Sequence, residues 1–291
     1  MDGIVVGVNG TVESDEALDW ALGEARAREL PLTVVHVAPE HDEAALAAVA
    51  EERRAVASDS IERARARHGR IVEVTSAVVP GPAPDGLLAL EDGAQMLVLG
   101  RRRRSRLGRR VLGSVSTNVV ENARVPVTVV RRPHDGQAPG GPPPDAVQDA
   151  PRIVVGVDTS VPSVAALRHA ATIAAGSTTA VVEPVFAWQI TTLAPLPGSW
   201  GWAPPIDDYE RFARERLAAA VQEAGVDLPG DRVRPLVVHG AAAKVLIERS
   251  AGADRLVVGA RGLGGFDRLV LGSVSRQVLD YASCPVTVLT G

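Results

Sequence analysis

The stretch VVGARGLGGFDRLVLGSVS, Val257–Ser275, joins an apolar run to three glycines at fixed spacings and then steps through Gly-Ser into a helical pattern. A second version, LVLGRRRRSRLGRRVLGSVS, occupies Leu97–Ser116 and has Arg103 where the later copy has Gly262. In each, a β-branched and aliphatic run ends on glycine, Gly259 or Gly100, as a strand buried on both faces does when it leaves a sheet. A strand, a glycine-rich loop and a helix start in that order form the turn of an α/β unit. Loops of this kind expose backbone N–H groups and a positive helix end, which together suit an anion, with phosphate the natural occupant.

The duplication extends through the chain. IVVGV starts at Ile4 and Ile153, VLGSVS at Val111 and Val270, and PVTV at Pro126 and Pro285, in the same order each time. The wider separation of the later landmarks places an insertion in the second copy, best assigned to Thr191–Asp208. Pro- and Gly-rich residues 133–151 cannot bury a core and read as a linker. The expected organisation is a first domain at residues 1–132 and a second at 152–291.

Five strand-like runs recur per copy. In the first they are GIVVGV, LTVVHVA, IVEVTSAVV, QMLVLG and VPVTVV; in the second, RIVVGV, AVVEPVFAW, VRPLVVHG, DRLVVG and CPVTVL. Helical patterns separate them: Leu18, Ala21, Leu22 and Ala25 fall on one face, and a long Ala/Arg/Glu helix is expected from about Asp42 to Arg67. Strands alternating with helices specify two tandem doubly wound five-stranded parallel-sheet α/β domains. Ligands of such sheets bind beyond the carboxyl ends of the strands.

Composition narrows the function. With 291 residues, 46% hydrophobic, and a net charge of −4, the chain can build two cores and gives no general reason to bind nucleic acid. Lys244 is the sole lysine, and Cys284 the sole cysteine, a small core residue ahead of the last strand that excludes an internal disulfide. No apolar run reaches membrane-spanning length and no secretory leader is evident, so a cytoplasmic protein is expected. The six histidines show no metal-ligand spacing.

Neither a Walker P-loop nor a dinucleotide fingerprint is present. What remains is Gly259-x-x-Gly262, nine residues, then Gly272-Ser273, between a strand and a helix. On these residues the chain resembles a tandem universal stress protein, whose ATP-binding members carry G-2x-G-9x-G-[ST] after the fourth strand and an acidic residue at the end of the first. The resemblance implies an adenine nucleotide alpha hydrolase-like fold and an adenine nucleotide ligand, ATP foremost, with or without Mg2+. It implies that Asp158 meets the ribose and adenine side, that Ala187 presents backbone to adenine, and that Gly259 and Gly262 let the main chain approach phosphate. Gly272, Ser273 and Ser275 would supply donors, with Gly156, Val258 and Val274 beside them. In the first copy the positions hold Gly7, Asn9, Val37, Leu99, Gly100, Arg103, Gly113, Ser114, Val115 and Ser116.

Asn9 and Arg103 depart from the pattern. If the loop requires φ > 0 at the second glycine, a side chain there costs about 1 kcal/mol or more. The arginines of Arg101–Arg110 add charge that attracts phosphate, so the first copy is expected to bind ATP more weakly and with steeper salt dependence.

Several alternatives stay open on sequence. Asp158 could cap the following helix, the arginine run could be a solvated loop, and Trp200 and Trp202 could pin the insertion to its domain. No nucleophile with its base is marked, and no lysine sits at the loop. The expected function is therefore a nucleotide-dependent regulator of the stress response acting on an unidentified protein partner. The rivals are a slow ATPase, a phosphoryl- or adenylyl-transfer enzyme, and an interaction module without nucleotide. By the same resemblance the last strands of the two copies pair within the chain, and the tandem unit forms a homodimer. No nucleic-acid or membrane partner is expected.

Overall fold

The computed structural model describes residues 3–38, 51, 55, 58–59, 61–62, 73–101, 112–131, 150–189, 206–263 and 271–290. The chain divides into two compact units, Met1–Arg132 and Pro133–Leu289. Each contains a parallel α/β sheet.

In the first unit the strands are β1 (Gly3–Gly7), β2 (Leu32–Ala38), β3 (Val74–Pro80), β4 (Ala94–Gly100) and β5 (Val127–Val130). Their order is β3-β2-β1-β4-β5, every pair parallel. Helices α1 (Val12–Ala27), α2 (Ala83–Leu88) and α3 (Ser114–Asn122) connect them, and the described residues of the expected long helix, such as Glu51 and Ile61, are helical. The chain starts in the middle of the sheet, moves outward, then returns to the other side of β1. That reversal puts a switch point between β1 and β4, the crevice where such sheets hold ligands.

Burial follows the periodicity. Ala17, Leu18, Ala21, Leu22 and Ala25 of α1 are at most 1% exposed and pack on Ile4, Val6, Val34, Met96 and Val98. A Leu buried to this degree contributes about 1.5–3 kcal/mol, so this one stripe fixes the helix on the sheet. Thr11 caps α1 by accepting from the Ser14 N–H. The outermost strand β3 is only partly buried and ends on Pro80, tolerable because an edge needs no second ladder.

The second unit repeats the plan with β6 (Arg152–Gly156), β7 (Val181–Trp188), β8 (Leu236–His239), β9 (Arg255–Gly259) and β10 (Val286–Leu289). The order is β8-β7-β6-β9-β10, again all parallel. Helices α4 (Val161–Ala175), α5 (Ile206–Ala224), α6 (Ala242–Arg249) and α7 (Ser273–Tyr281) flank it. Ala166, Leu167, Ala170 and Ala174 of α4 meet Ala213, Leu217 and Ala220 of α5 in the core cluster. Small residues on both surfaces let the elements approach closely. Most of the assigned insertion, residues 190–205, lies outside the described residues, as does the greater part of the linker.

Cys284 precedes β10 and is 3% exposed; burial pushes its thiol up to about 12. The thiolate is the reactive form, so Cys284 should resist alkylation by iodoacetamide at pH 8 in the folded protein and react once denaturant is added. Rapid labelling without denaturant would contradict this placement.

Candidate functional site

The carboxyl ends of β6, β7 and β9 open into a cavity of about 760 Å³. Its volume lies in the range of small-molecule sites. Gly156 and Asp158 reach it from β6, Ala187 and Trp188 from β7, Val258, Gly259 and Gly262 from the β9 loop, and Gly272, Ser273, Val274 and Ser275 from the start of α7. All ten residues expected in the second copy thus share one cavity.

Asp158 ties its walls together. Its Oδ1 accepts from the N–H of Ser160 at 3.0 Å and from Ser160 Oγ at 2.5 Å, while Oδ2 accepts from the N–H of Leu263 at 3.0 Å. The cap of α4 is Ser160, which accepts from Ser163 N–H, so Asp158 is not the cap. It is a clasp between the turn after β6 and the glycine loop after β9.

This contact explains Gly262. A Cβ on Gly262 would lie 2.1 Å from Asp158 Oδ2. The condition of φ > 0 does not hold at Gly262: the described glycines with positive φ are Gly10, Gly81, Gly93, Gly225 and Gly252. Close approach of the carboxylate, rather than backbone handedness, excludes a side chain here. Gly259 is similar, since its Cβ would lie 2.7 Å from Pro162 Cβ, so that space is filled by the first turn of α4. Gly272 differs. The nearest atom to a Cβ there is the Ala260 carbonyl oxygen at 3.3 Å.

Gly272 is the N-cap of α7 and supplies no side chain to satisfy the first-turn N–H groups. Ser273 and Val274 border the cavity at this uncapped end. Orphan N–H groups and the helix dipole favour negative charge there. Ser275 is buried and its hydroxyl donates to the Gly259 carbonyl at 2.7 Å, which pins α7 to the end of β9. The Ser273 hydroxyl is thus the better placed donor to a ligand.

Several lining residues carry no motif. Phe186, Trp188 and Phe212 are aromatic members of the lining. Trp188 stacks on Tyr209 at 6.0 Å and meets the His239 ring at 4.7 Å in a tilted contact, and it is 2% exposed. Arg216 also borders the cavity, and its Nη2 donates to Thr159 Oγ1. Thr159 has φ 68°, a strained conformation for a β-branched residue. The corresponding Gly10 has φ 77°, so the turn geometry is common to both copies. No sequence motif marks Arg216 or Phe212, which reach the cavity from α5.

In the first unit, Gly7 ends β1, Val37 lies near the end of β2, and Leu99 and Gly100 end β4. A Cβ on Gly100 would lie 2.2 Å from the Glu13 carbonyl oxygen, so it is the packing counterpart of Gly259. Asn9 Oδ1 accepts from Thr11 N–H at 3.2 Å and Oγ1 at 2.7 Å, which keeps one half of the Asp158 arrangement. Gly113 is the uncapped N-cap of α3, followed by Ser114, Val115 and the buried Ser116. Arg103 lies outside the described residues. Among the described residues no group of His, Cys, Asp and Glu is arranged to hold a metal, and no helix is long and apolar enough to cross a membrane.

Fold and loop together define a duplicated doubly wound α/β protein with a ligand-sized cavity in its second copy. The family model for universal stress proteins matches residues 1–131 and 150–290. A universal stress protein of Mycobacterium tuberculosis is 34% identical over 297 residues, covering 98% of this chain and 96% of its own. A second from the same organism is 30% identical over 310 residues, covering 98% and 95%. The crystal structure of a universal stress protein from Archaeoglobus fulgidus matches with TM-score 0.67 at 18% identity, over 99% of this chain and 98% of that one, a likeness of fold. The chain belongs to the universal stress protein family.

Replacing Gly262 with Ala should destabilise the protein by about 1–3 kcal/mol through the clash with Asp158. In the Asp158→Ala background the same change should cost at least about 1 kcal/mol less, because the two residues touch. Urea denaturation of the four proteins measures this; strictly additive costs would contradict the clasp.

Proposed function

We propose that the second domain binds an adenine nucleotide, ATP foremost, and that the protein acts as a nucleotide-dependent regulator in the stress response. The observation that carries this reading is the meeting of the ten expected residues around one cavity, with the uncapped start of α7 at its edge. In this reading the N–H groups of Ser273 and Val274 hold phosphate oxygens, the Ser273 hydroxyl adds a donor, and Ala187 offers backbone to the base. Asp158 offers its carboxylate to ribose hydroxyls by exchanging part of its bonding to Ser160 or Leu263. Mg2+, if it accompanies ATP, is held by phosphate oxygens, as no described carboxylate cluster is arranged for it.

Among the described lining residues Asp158 is the one carboxylate, there is no lysine, and no histidine stands beside the serine hydroxyls as a base. That supports binding over turnover, with hydrolysis slow and incidental. The first copy has Asn9 for the carboxylate and an arginine-rich loop, which supports weaker, more salt-sensitive binding there. Work in the cytoplasm, pairing with a regulatory protein, pairing of the last strands and dimerisation of the tandem chain belong to the same proposal.

Gly272 is the residue to test, because a Gly262 variant also disturbs the Asp158 clasp. In titration calorimetry Gly272→Arg should weaken ATP binding at least tenfold, about 1.4 kcal/mol. The affinity that remains, carried by the first copy, should fall more steeply with salt. Unchanged tight binding in Gly272→Arg would contradict the site.

A further inference from the structure

At the opposite ends of the same strands lies a small cavity of about 100 Å³, bordered by Arg152, Glu183, Arg234, Pro235 and Arg249. It opens where the sheet is broken. β7 and β8 pair from Val185 and Leu236 onward, preceded only by an isolated bridge between Val182 and Val233. Pro184 and Pro235 occupy the gap, and neither has an N–H to extend the ladder. Glu183 is therefore left beside a void instead of a neighbouring strand.

Three arginines and one carboxylate border that void. Glu183, 5% exposed, takes both Arg249 Nε at 2.8 Å and Nη2 at 2.5 Å, and also Arg152 Nη1 at 3.2 Å. Two guanidinium groups thus meet at one buried carboxylate, and the Asp254 carboxylate accepts from the Arg152 N–H at 2.7 Å. Arg152 directs Nη2 to the carbonyls of Ala251 and Arg249, at 2.8 and 3.0 Å, while its buried Nε has no hydrogen-bond partner among the described residues. The third arginine, Arg234, stands exposed at the rim. A buried donor left without a partner is costly.

The fold itself does not require this cluster. By strand register, with Ile4 opposite Leu32 and Ile153 opposite Val182, the first copy has Gly3 and Thr33 where the second has Arg152 and Glu183. The first sheet forms without the ion pairs.

We propose that this cavity is a second anion site, for a small oxyanion of the size of inorganic phosphate. Arg152 Nε and the Arg234 guanidinium supply the donors. Roughly three water volumes of space exclude a nucleotide. The site lies beyond the amino ends of β6, β7 and β8, so it is separate from the nucleotide cavity and stands whether or not that cavity binds ATP.

The test uses the full chain and inorganic phosphate as the probe, followed by titration calorimetry at constant ionic strength. Saturable binding is expected, retained in Gly272→Arg and weakened at least tenfold in Arg234→Ala, an exposed position whose loss spares the buried ion pairs. The double variant Arg152→Met/Glu183→Met, checked for folding by circular dichroism, should lose it as well. Three results would overturn the proposal: no saturable binding, binding unaffected by Arg234→Ala, or binding abolished by Gly272→Arg, which would place phosphate in the nucleotide cavity.

Discussion

The carboxylate of Asp158 joins two segments that meet at the switch point of the second sheet. One oxygen holds the turn that starts α4, and the other holds the first part of the loop after β9. The loop can approach that closely only because residue 262 has no side chain. The cavity wall therefore depends on a pair, an acid after the first strand and a glycine three residues past the end of the fourth. Ser275, bonded to the Gly259 carbonyl, fixes the other end of the loop to the same strand.

The duplication serves as an internal comparison. Both copies keep the features that packing demands: a left-handed residue after Asn9 or Asp158, a hydroxyl helix cap at Thr11 or Ser160, and a glycine where the first helix crosses the fourth strand. They diverge at positions that packing leaves open. Asn9 and Arg103 replace the acid and glycine of the clasp together, as expected if each is useful only with the other. Arg152 and Glu183 replace Gly3 and Thr33 at the far end of the sheet, again as a pair.

Much of this was legible in the sequence because it is local. Strands buried on both faces read as unbroken apolar runs, the α1 stripe recurs at helical spacing, and the glycine motif fixes where the loop begins and ends. Its reason was less legible. Sequence assigned Gly262 to the approach of phosphate, with a backbone penalty only if the loop needs φ > 0, whereas the constraint seen is the Asp158 oxygen, about a hundred residues away in the chain and visible only once β6 and β9 are neighbours. The same holds for Arg216 and Trp188, whose place in the cavity follows from how α5 and β8 pack on β7. The break at Pro184 could have been noticed, since proline is foreign to an interior strand. Its consequence, a void flanked by arginines, needed the partner strand.

The central claim is that the second-copy cavity holds an adenine nucleotide. The most direct measurement is mass spectrometry of whatever small molecule is released on denaturing the intact protein, purified without added nucleotide, beside the Gly272→Arg variant prepared in the same way. The account predicts an adenine nucleotide from the unaltered chain and markedly less from the variant. Equal amounts from both proteins, or no nucleotide from the unaltered chain together with no calorimetric affinity for ATP, would contradict it.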